Sequence, residues 1–100
     1  MKLNSLIDKL NMVHHLDKKE LSPEVIQEMA GEIESIINQD LAPLFTGEGG
    51  TVIDAPSPMA VELTLAELII TVAQTMRMLG MDAEGAVETM TMLHTAKEIH

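Results

Sequence analysis

The sequence has no cysteine, no tryptophan and no tyrosine, and Phe45 is its one aromatic residue. Without cysteine there are no disulfides and no thiolate chemistry, which fits a reducing cytoplasm. With a single aromatic ring, the core of the one domain that 100 residues can form must be aliphatic. Nine methionines are available to fill gaps that rings usually fill. Basic residues are scarce as well: six Lys and Arg stand against sixteen Asp and Glu, for a net charge of −10. That balance argues against binding nucleic acid through its phosphates. It suits cation binding or a basic protein partner, and an acidic mimic of DNA would share it. The start, Met1-Lys2-Leu3-Asn4, lacks the apolar run and cleavage site of a signal peptide. The most apolar stretch, Val61 to Leu79, is interrupted by Glu62, Glu67, Gln74 and Arg77. It is the pattern of a buried helix rather than a membrane span, so a soluble cytoplasmic protein is expected.

What is present favours helices, because Leu, Met, Ala and Glu are good helix formers. Leu3, Leu6, Ile7, Leu10 and Val13 recur at helical spacing and predict a first helix from about Asn4 to Leu16. Ser5 and Ser22 are both expected as helix caps. Ser22-Pro23-Glu24 combines a cap, a first-turn proline and a first-turn acid, and predicts a second helix running to about Asn38 or Asp40 before Pro43. The segment from Thr46 to Pro58 has three glycines and two prolines and is expected to be a long, flexible connection. A third helix is predicted from about Met59 to Leu79, stopped by Gly80. Asp82 then caps a fourth helix, which begins at Ala83 and runs towards the C-terminus. The short connection makes the last two helices antiparallel neighbours in a four-helix bundle, one domain over residues 1–100. Helix three is apolar over most of its circumference, more than one small monomer covers, so a homo-oligomer, dimer or tetramer, is expected.

At about 100° per residue, Thr64, Glu67, Thr71 and Gln74 share a narrow arc of helix three, flanked by Leu63, Leu65, Leu68, Ile70 and Val72. Glu62 and Arg77 fall roughly opposite and are expected to mark the solvent-facing edge. A carboxylate away from that edge needs a cation or hydrogen-bond donors. On helix two, Glu28 and Glu32 lie one turn apart, beside the apolar stripe of Val25, Met29, Ile33 and Ile36. Such pairs commonly mean a solvated face. Together with Glu67 they would instead make an all-oxygen site suited to Mg²⁺ or Mn²⁺.

These segments resemble the MazG-type all-α nucleotide pyrophosphohydrolases, Mg²⁺-dependent enzymes that split nucleoside triphosphates into monophosphate and pyrophosphate. Glu28-Met29-Ala30-Gly31-Glu32-Ile33 is similar to the family's Glu-Glu-x-Gly-Glu-Leu motif, and Thr64-Leu65-Ala66-Glu67 to its Glu-Leu-Ala-Asp motif. Leu79-Gly80-Met81-Asp82 follows in register, like the family's Leu-Gly-Ile-Asp turn, and the likeness runs from about Ser22 to Met90. The resemblance implies that Glu28, Glu32 and Glu67 hold one or two Mg²⁺ (or Mn²⁺) ions and carry the catalysis, with Gln74 and Lys97 near the phosphates. Several positions depart from the family pattern. Met29 and Thr64 stand where the family has carboxylates, Gln74 replaces a further acid, and Thr89 and Leu93 fall near the places of a Lys and an Asn.

The resemblance therefore implies either a bacterial or phage pyrophosphohydrolase of reduced activity, or an inactive acidic helical module that binds a protein partner. Other residues offer less. His14 and His15 adjoin on a helix end and point different ways, which suits capping or surface roles. His94 and His100 are isolated, and the methionines Met76, Met78, Met81, Met90 and Met92 suit a core, a dimer interface or an adaptable partner surface.

Overall fold

The computed structural model of the chain describes residues 2–46 and 56–99, with side chains to residue 97. It is helical, with α1 over Leu3–Val13, α2 over Pro23–Ile36, α3 over Pro58–Met78 and α4 over Ala83–Ile99. Most of the expected connection, residues 47–55, lies outside the described residues, and Pro58 at its end already belongs to α3. The chain divides into two compact units, one of residues 1–20 with 73–100 and the other of residues 21–72.

The unit of residues 21–72 is opened by Ser22, whose side-chain oxygen accepts from the Val25 N–H at 3.3 Å, with Pro23 in the first helical turn and Glu24 beside it. Ser5, by contrast, does not cap α1: Lys2 holds that position, with no side-chain hydrogen bond, and Ser5 lies within the helix. The end of α2 also differs from expectation. The helix widens into a π turn over Ile37–Leu41 and then tightens into a 3-10 turn over Ala42–Phe45. Pro43 explains the change, because its ring crowds the carbonyl four residues back and it has no N–H for the helical ladder.

In the unit of residues 1–20 and 73–100, Ile7, Ala73 and Ala83 make the small apolar core, joined by Asn11 and Thr75. Asn11 anchors α1 to the end of α3 by donating from Nδ2 to the Gln74 carbonyl at 3.2 Å. The Lys19 N–H donates to the Met78 carbonyl at 2.9 Å, laying the segment after α1 along the same end. Both helix ends close in the same way. At α3, Gly80 (φ 77°) donates to the Arg77 carbonyl and Met81 to that of Met76. At α1, His15 (φ 56°) donates to Met12 and Leu16 to Asn11. These are paired 5→2 and 6→1 closures, which want a left-handed residue and usually recruit glycine.

Burial is thin elsewhere. No large side chain is fully buried among the described residues, and α2 contains no buried residue at all. On α3, Leu63 is 63% exposed and Ile69 61% exposed. By length and composition α3 could cross a membrane, with hydropathy 1.4 over its most apolar 18 residues, of which 17% are buried in the chain. Arg77, expected at a solvent edge, is partly exposed and pairs there with Asp8 of α1.

The two helix ends make opposite predictions. Nothing lies within 4 Å of a Cβ built on Gly80, so Gly80→Ala should cost only the backbone term, about 1–2 kcal/mol. His15→Gly relieves the same strain and should raise stability by up to about 1 kcal/mol. Urea unfolding of the two variants against the wild type checks both signs.

Candidate functional site

The acidic face of α2 follows from its periodicity. Val25, Met29, Ile33 and Ile36 are half-buried, while Gln27, Gly31 and Glu34 face solvent. Glu28 and Glu32, one turn apart beside that stripe, are both exposed. Glu67 is exposed on α3 as well. Its neighbours on the polar arc behave differently. Thr71 is buried and donates from Oγ1 to the Glu67 carbonyl at 3.0 Å, and Thr64 donates to the Ala60 carbonyl at 2.8 Å. Both hydroxyls thus donate to carbonyls of their own helix.

Among the described residues no three His, Asp or Glu side chains are grouped as a metal ion would require. Glu67 is therefore not brought to Glu28 and Glu32 within one chain. Gln74 is half-buried, and its backbone carbonyl, not its side chain, is what Asn11 uses. Lys97 is exposed near the end of α4. These two residues belong to the other compact unit from the three glutamates.

The best-formed polar cluster is one that sequence periodicity did not single out. Asp82 caps α4, its Oδ1 accepting from the Gly85 N–H at 2.9 Å and from Asn4 Nδ2 at 2.6 Å. Asn4 also donates from its backbone N–H to Glu84 Oε1 at 2.7 Å and accepts from the Glu84 N–H at 3.2 Å. Beside it, Arg77 grips Asp8 with two parallel hydrogen bonds of 2.8 and 2.9 Å and donates to the Met81 carbonyl. The Asp82-x-x-Gly85 spacing was a readable cap signal. The partners Asn4 and Asp8 lie 78 and 69 residues away from theirs, beyond any local pattern.

These contacts set the charges. The hydrogen bond from Arg77, then its positive charge, hold the Asp8 carboxyl below its ordinary 3.8, and the same contacts raise Arg77. The Gly85 N–H, followed by Asn4, lowers Asp82. A groove of about 530 Å³ lies against Asp8, Asn11, His15, Lys18 and Arg77.

No protein-family model, curated protein or solved structure matches this chain.

Two carboxylates with lowered pKa favour the folded state while ionised. Their contribution is present above the ordinary carboxylate range and is lost as pH falls below 3.8 towards the folded values. Thermal melts between neutral pH and pH 3 should show this acid loss, and Asp8→Asn with Asp82→Asn should flatten it. An unchanged acid limb in the double variant would remove the linkage. Gly85 tests the cap separately, since a Cβ there would collide with the Asp82 carboxylate. The carboxylate is the free end of a side chain, so Gly85→Ala should displace it and raise the melting temperature less than the usual about 1 kcal/mol of helix propensity would, with more of that gain recovered when Asp82 is already alanine.

Proposed function

We infer that this chain is a MazG-like nucleotide pyrophosphohydrolase of reduced activity, a cytoplasmic bacterial or phage protein that works as a homo-oligomer. The main support is the register from α3 into α4. From Thr64 onward the family-like order of acidic arc, apolar helix, left-handed Gly80 and capping Asp82 runs without a gap. Glu28 and Glu32 add a carboxylate pair on α2, in a stretch similar to the family's first motif.

The donor chemistry suits Mg²⁺ or Mn²⁺, since Glu28, Glu32 and Glu67 offer only carboxylate oxygen. Within one chain the three are not grouped, so completing the site falls to a second copy. A bound Mg²⁺ would polarise the triphosphate and lower the pKa of an attacking water. The glutamates would hold the ion, whose positive charge would offset the repulsion between a polyanionic substrate and a chain of charge −10. The uncovered apolar residues of α2 and α3, Ile26, Leu63, Leu65 and Ile69 among them, supply a surface for such an assembly. Covering α3 by protein is preferred to placing it in lipid. Glu67 sits near the middle of the helix, where a charge costs about 2.5–3.5 kcal/mol in a bilayer.

A second reading is favoured by Met29 and Thr64, which replace family carboxylates. It is an inactive acidic module of the same fold that binds a protein partner.

Pyrophosphate release across a panel of nucleoside triphosphates with Mg²⁺ or Mn²⁺ separates the two. The enzyme should release pyrophosphate from at least one nucleotide. Glu32→Ala and Glu67→Ala should each reduce release by more than about 100-fold, the upper end for losing a mere supporting group. The metal alone should raise the melting temperature, because a ligand at 100 times its Kd stabilises by about 2.7 kcal/mol. No release from any nucleotide, with no metal-dependent rise, leaves the binding module.

A further inference from the structure

We draw no further inference here: the strongest candidate, the groove of about 530 Å³ beside His15, Lys18 and Arg77, carries nothing, because Asp8 and Asp17 match the charges of Arg77 and Lys18 along its walls and the unpartnered Asn11 Oδ1 is fully buried and not open to it, so nothing in the structure shows what would occupy it.

Discussion

Apolar surface that stays exposed among the described residues is the constraint from which the other features of this protein follow. Helices of this length hold together in water by burying a face, not by propensity. Here only Ile7, Ala73 and Ala83 are buried apolar residues among those described, and no large side chain is fully enclosed. An aliphatic, Met-rich composition with one aromatic ring leaves few side chains large enough to cover a neighbour in one contact. Among the described residues the large apolar side chains of α2, α3 and α4 are at most partly covered.

Where apolar packing is thin, polar contacts hold the chain path. Asn4, Asp82 and Glu84 exchange hydrogen bonds that fix the start of α1 to the start of α4. The Asp8–Arg77 pair does the same between α1 and the last turns of α3. Both are at least partly open to solvent, so each is screened and individually modest. Their value lies in geometry: Arg77 and Asp82 flank the turn at Gly80, and together they fix how α4 leaves α3.

Some elements were legible because their causes are local. Ser22-Pro23-Glu24 started α2 as expected, Gly80 ended α3 and Asp82 began α4, since caps and left-handed turns depend on residues within a few positions. The half-buried stripe of Val25, Met29, Ile33 and Ile36 was equally readable from its spacing. The π turn before Pro43 was not, because the sequence marks where a proline disturbs a helix but not whether the helix stops or widens. Ser5 misled for a related reason: a capping residue type caps only where the helix starts, and α1 starts at Leu3. The pairing of Arg77 was not legible because its partner, Asp8, is distant in sequence.

The candidate site divides along the same line. By itself the sequence determined which carboxylates are available, that Glu28 and Glu32 share a face, and that every donor among the three is oxygen. Those are properties of residue type and helical period. Tertiary structure decided that Glu67 is not grouped with the other two in one chain, that Thr64 and Thr71 bond to their own helix, and that α4 is bare beyond its first turn. Periodicity says which side chains lie together on one helix; whether a face meets a second helix depends on how far the rest of the chain reaches.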